Sequence, residues 1–67
     1  MKVNLLKGAL AIRGISIKEL GEKSGINKSA LYRKLKGKSE FSRKEIEKIA
    51  KVLKLTSEEM NSIFFDL

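Results

Sequence analysis

The sequence predicts an all-α fold, a compact bundle of five helices. Three observations predict it. Helix start signals of one kind recur four times along the chain. Apolar residues repeat with the period of a helix, at i, i+3, i+4 and i+7. Proline is absent from all 67 residues, so no ring breaks a helix interior.

Helix one is predicted near 2–13, with Leu6, Ala9, Leu10 and the packing stem of Arg13 on one side. Gly14 stops it, as a residue free to take positive φ. Helix two spans 17–24. Ser16-Ile17-Lys18-Glu19 reads as a capping box, with Ile15 and Leu20 as its hydrophobic staple. Gly25 ends it, and Asn27 caps helix three, 28–36, with Ile26 and Leu31 as staple. Gly37 ends helix three. Ser42-Arg43-Lys44-Glu45, flanked by Phe41 and Ile46, starts helix four, 43–54. Its stripe is Ile46, Ile49, Ala50 and Leu53. Thr56-Ser57-Glu58-Glu59, flanked by Leu55 and Met60, starts helix five, 57–66. Its stripe is Met60, Ile63, Phe64 and Leu67. These stripes are core.

Length and composition bound the function. A chain this short forms a single domain, 1–67, and buries only roughly 60% of its unfolded surface. Cysteine and histidine are both absent. Disulfides, thiolate metal sites and the commonest general base are thereby excluded. No catalytic residue, metal, cofactor or small-molecule substrate is expected. Nothing approaches the ~18 apolar residues of a membrane span. The first residues lack the layout of a secretory signal, so the expected location is cytoplasmic.

The charge is concentrated. Lys and Arg total 15 against 8 acids, a net +7. Between Lys23 and Lys44 lie eight bases and one acid, Glu40; the remainder holds seven of each. The whole excess therefore sits in the middle third. Charge kept only for solubility has no reason to collect there, so that segment suits a polyanion.

The same segment holds a tight turn. Helix two ends at Ser24-Gly25-Ile26 and helix three begins at once from Asn27. Gly25 permits the turn, Gly21 permits close approach, and Leu20, Ile26 and Leu31 fill the wedge. This is a helix-turn-helix arrangement, about 16–36. A plain helical hairpin explains the glycines but leaves Lys28-Ser29-Ala30-Leu31-Tyr32-Arg33-Lys34-Leu35-Lys36 unexplained. Leu31 and Leu35 point inward with Ala30 at the boundary. Lys28, Ser29, Tyr32 and Arg33 then share the outward face. Arg33 can donate a bidentate pair to guanine. Lys28 can reach a guanine or a phosphate, and Ser29 can donate or accept. Tyr32 can lie on a thymine methyl or bond a phosphate.

Residues 15–53 resemble the Cro/cI-type helix-turn-helix domains of phage repressors and their bacterial relatives, which have the lambda-repressor-like fold. The resemblance is carried by Ile15-Ser16, Glu19-Leu20-Gly21, Gly25-Ile26-Asn27, Leu31, Gly37-Lys38, and the capped Ile46-Ile49-Ala50-Leu53 helix ending in Leu55. Ser29 to Gly37 looks most like small phage regulators of Gram-positive hosts. The resemblance implies double-stranded DNA as partner, helix three in the major groove, and the N-terminus of helix two against a phosphate. Its first amides are unpaired and carry the positive dipole end. On this reading Ser16, Lys18, Asn27, Lys36, Lys38 and Arg43 contact phosphates while Lys28, Ser29, Tyr32 and Arg33 read bases. Asn27 and Ser16 are caps first. Lys34 is expected to be solvated or snorkelling, and Lys44 and Lys23 to serve solubility. Two positions depart from the family pattern, Ser24 and the order Lys34-Leu35. The second suggests a slight rotation of helix three about its axis.

Such regulators bind inverted repeats as dimers, so a homodimer on DNA is expected, with a repressor's role. Phe65 and Leu67 are the candidate dimer contacts; Phe65 falls off its helix's stripe and is either exposed or paired with Phe64 in the core. The alternative is a protein-interaction module, an antirepressor or host-factor binder of the same fold, whose third helix would lack a basic reading face. RNA binding lacks its aromatic platform, since Tyr32 is the only aromatic in the basic segment. A membrane-surface helix conflicts with the turn and buried stripe inside that segment.

Overall fold

The computed structural model describes residues 1–65. Its elements are α1 (Val3–Arg13), α2 (Ile17–Ser24), α3 (Lys28–Leu35), α4 (Arg43–Leu53) and α5 (Ser57–Met60), the last running into a π-helical segment, Asn61–Phe65. The described residues are all helix and short connection, so the all-helical fold holds, with four of the five helices within a residue of their predicted ends. Leu67 lies outside the described residues.

The start signals do what their spacing implies. Asn27 accepts from the Ser29 amide at 2.9 Å. Ser42 and Thr56 form complete capping boxes with Glu45 and Glu59. The box at Ser16 is only half made. Ser16 accepts from the Glu19 amide at 3.0 Å, but the Glu19 carboxylate turns away to Lys23, 3.5 Å off and one helical turn on. An exposed carboxylate chooses between two neighbours of similar worth there. The stops are equally local. Gly14, Gly25 and Gly37 all have positive φ. After α3 the Lys38 amide donates to Arg33 and the Gly37 amide to Lys34, which is the paired closure of a Schellman motif. α4 closes in the same way, with Leu55 donating to Ala50 and Lys54 to Lys51. There the left-handed residue is Lys54, at φ 54°.

One cluster of side chains forms the core. Leu6, Leu20, Leu31, Ile49 and Leu53 are its most deeply buried members. They come from α1, α2, α3 and α4, so each of these helices contributes an anchor. α2 packs mainly on α4, and α1 on α4 and the π-helical segment. The stripe residues Ile46, Ile63 and Phe64 join them, while Ala50 and Met60 are half-buried.

The largest departure from expectation is at the end of the chain. A single α-helix over 57–66 is replaced by one α-helical turn and then π-helix. The wider i→i+5 winding turns the chain less per residue, so consecutive Ile63 and Phe64 both face the core. The Ile63 carbonyl accepts from the Lys2 amide at 2.7 Å, joining this segment to the start of α1. Phe64 meets Phe41 edge to face, ring centres 5.9 Å apart. Phe65 is left 41% exposed, so of the two readings for the Phe64-Phe65 pair, Phe64 is core and Phe65 is surface.

Candidate nucleic-acid interface

The turn between α2 and α3 places the candidate site. Gly21 is buried, and a Cβ built there would lie 3.1 Å from the Ile26 carbonyl oxygen and 3.5 Å from Leu31 Cδ2. A side chain there would press on the turn, and the Ile26 carbonyl would have to give by a few tenths of an ångström. Ser24, a departure from the usual apolar residue, is buried too. Its hydroxyl donates back to the Leu20 carbonyl at 2.6 Å, so the polar group is satisfied within its own helix and burial carries little penalty.

Leu31 and Leu35 are buried and set the rotation of α3. Lys28, Ser29, Tyr32 and Arg33 are all exposed as a consequence. They form one outward strip over the first turns of the helix, and Lys28 Nζ sits 6.0 Å from the Tyr32 ring centre. Ser16, Lys18, Asn27, Lys36, Lys38 and Arg43 are exposed as well. They fall on two sides of that strip in the chain. Ser16 and Lys18 stand at the start of α2, where the Ile17 and Lys18 amides have no partner within the helix. Lys36, Lys38 and Arg43 stand on the connection after α3 and at the start of α4.

Lys34 is the residue the sequence misplaced. Its side chain is only 15% exposed. It lies 5.8 Å from the centre of the Phe41 ring, and Nζ donates to Glu45 at 2.8 Å and to the Glu40 carbonyl at 3.2 Å. Its charge is therefore spent inside the protein and does not face a polyanion. The contact has a positional effect. It ties α3 to the start of α4 and to the connection carrying Lys36 and Lys38. Glu45 is held below its ordinary carboxylate range, first by the Lys34 hydrogen bond and then by the Ser42 amide, which together outweigh partial burial. Sequence pattern missed this because Lys34 and Glu45 are 11 residues apart; an acid at the capping-box position just after the basic segment was the available hint.

Arg13 makes the corresponding tie on the other side. Its guanidinium donates to the Leu53 carbonyl, to Ala9 at 3.2 Å and to Glu59 at 3.4 Å. It thus satisfies a carbonyl at the end of α4, where a cation is also favoured by the helix dipole. Glu59 is lowered by the Thr56 amide first and by Arg13 second, against desolvation. Lys23, paired with Glu19, is one cation of the basic segment with a local partner.

The result is a two-helix wedge with buried anchors and a cationic outer strip flanked by further exposed cations. Among the described residues no group of three potential metal ligands exists, and no helix is long and apolar enough to cross a membrane. The arrangement can do what a short basic helix does against a duplex: present donors to base edges and neutralise phosphates on both sides. No curated protein and no solved structure gives a significant match to the chain. A protein-family model does match, over residues 6–66, nearly the whole length. With that match, and with the turn, the buried anchors and the cationic strip in place, the chain belongs to the Cro/C1-type HTH DNA-binding domain family.

Proposed function

We propose that this chain is a small phage-type transcriptional regulator, a Cro-like repressor, that binds double-stranded DNA sequence-specifically. α3 enters the major groove. Lys28, Ser29, Tyr32 and Arg33 read base edges, Arg33 by a bidentate pair to guanine. Ser16, Lys18, Asn27, Lys36, Lys38 and Arg43 hold the two phosphate walls. The operator is an inverted repeat, and the protein binds it as a homodimer with Phe65 as one candidate contact. The function is binding in the cytoplasm, with no catalytic step, cofactor or metal. The observation that carries this reading is the outward face of α3, which is exposed, cationic and free of acids while Leu31 and Leu35 are anchored below it.

Selection from a randomised duplex library at near-physiological salt tests it. Enrichment of an inverted repeat is expected, and its spacing gives the dimer geometry. If nothing is enriched, the sequence-specific regulator is refuted; α3 then binds phosphate generically or docks on a protein, as an antirepressor would.

A further inference from the structure

We infer that Tyr32 is a positioning residue for Lys28: its ring holds the Lys28 ammonium toward the outward face of α3, so that the two side chains meet DNA as one coupled unit. The inference rests on the DNA reading proposed above and adds to it how one of the base-reading donors is aimed.

Lys28 needs a guide because of where it stands on the helix. It precedes Leu31 by three residues and Leu35 by seven. At about 100° per residue its Cα lies nearest the row of those two buried leucines, at the edge of the outward strip. It is exposed all the same, as the first helical residue after the Asn27 cap. Tyr32 stands one turn on, between Lys28 and the centre of the strip at Ser29 and Arg33. Long side chains on a helix lean back toward its N-terminus, so the Tyr32 ring reaches over the first turn, where Lys28 begins. The ammonium lies 6.0 Å from the ring centre, within reach of a cation–π contact.

No other group competes for that ammonium. The first turn of α3 contains no acid, and no ion pair among the described residues involves Lys28. The Asn27 side chain is occupied by the Ser29 amide. The helix dipole disfavours a cation at this end, so without the ring the long side chain is left to swing in solvent. Packing does not explain the aromatic at this position. Tyr32 is 40% exposed, while Leu31 and Leu35 fill the core side. Its hydroxyl has no partner among the described residues, and the ring is the part in contact.

The consequence is order established before binding. A free lysine gives up most of its rotamer freedom when it meets one base edge. Lys28 gives up part of it in the free protein, in the half of the helix that meets base edges. Tyr32 therefore acts on affinity through Lys28, in addition to its own contact.

A double-mutant cycle on the full chain tests this, with the duplex obtained by selection. Lys28→Gln and Tyr32→Leu are each expected to weaken binding severalfold. The double variant is expected to fall short of the product of the two losses by about two- to fivefold, the size of an exposed cation–π contact. Tyr32→Phe keeps the ring and is expected to keep the coupling. Tyr32→Leu is also expected to relax the base position that Lys28→Gln relaxes, which a loss of stability alone would not do. NMR on the free chain reads the contact without DNA: the ring should shift the Lys28 ε-methylene protons upfield, and Tyr32→Leu should abolish that shift. Losses that simply multiply, coupling lost in Tyr32→Phe, or unshifted Lys28 ε protons each overturn the inference. If selection enriches no site, the DNA reading falls and this inference with it. Multiplicative losses on an enriched site overturn the inference alone.

Discussion

Removing the Lys34 charge while keeping its stem should destabilise the domain without touching DNA recognition. Lys34→Met preserves an unbranched side chain over Phe41 and deletes the Nζ contacts to Glu45, 2.8 Å, and to the Glu40 carbonyl, 3.2 Å. The partners are 15% and 23% exposed, so solvent screens them less than a surface pair. An exposed pair contributes ~0.2–1 kcal/mol and a hydrogen bond to a charged group ~1.5–3 kcal/mol. Glu45 keeps its Ser42 amide, at 2.8 Å, so it is not orphaned, and a loss of about 1–2 kcal/mol is expected. For a domain of this size that lowers Tm by about 5–15 °C. The pH dependence follows from the lowered Glu45 pKa. Stability from this contact is fully present above the ordinary carboxylate pKa of 4.5, and is lost as pH falls through the lower folded value. Thermal unfolding of Lys34→Met, Glu45→Gln and the double variant across pH gives the coupling energy. Duplex binding against salt gives the second readout: because Lys34 is turned inward, its salt slope should match that of the unaltered chain. A coupling energy near zero with an unchanged Tm would refute the structural role. A slope reduced by about one unit would make Lys34 a phosphate contact instead.

Other outcomes follow from the same residues. Arg33→Ala should cost about 1–3 kcal/mol on the selected site and relax one base position; equal losses on specific and random duplexes would remove Arg33 from base reading. Lys36→Ala should weaken all duplexes alike and flatten the salt slope by about one unit, as titration at several salt concentrations would report. Lys54→Gly should stabilise the domain by about 0.5–1 kcal/mol, because the left-handed conformation at φ 54° costs a side-chain-bearing residue ~1–2 kcal/mol, partly offset by greater freedom in the unfolded chain. Urea denaturation measures it, and destabilisation would show that the Lys54 side chain is needed. Gly21→Ala should destabilise and depress DNA affinity together, since its methyl meets the Ile26 carbonyl at 3.1 Å. Full affinity with unchanged stability would mean the α2–α3 wedge adjusts freely.

The helix boundaries and the turn were legible in the sequence because caps and stops are local. Ser42 reaches Glu45 three residues on and Asn27 reaches Ser29 two residues on, so the pattern of residues already contains the hydrogen bonds. The outward strip of α3 was legible for a similar reason, once Leu31 and Leu35 were recognised as its buried side. Ser16 shows the limit even of local grammar. The same four-residue signal gave half a capping box because Glu19 had a second local partner in Lys23.

What the tertiary structure alone decided lies at contacts between distant residues. Lys34 looked like one more cation of the basic segment until folding placed it beside Glu45, 11 residues away, and Phe41. Arg13 joins the ends of α1 and α4 and the start of α5 through groups 40 and 46 residues distant. The π-helical winding of 61–65 follows from seating Ile63 and Phe64 together in a core built by other helices. The sequence by itself determined where helices begin, where they stop and which side of each is apolar, because those are set within a turn or two of backbone. Which exposed-seeming charges turn inward, and which apolar surface is left without cover, depends on the neighbours that only the folded chain brings near.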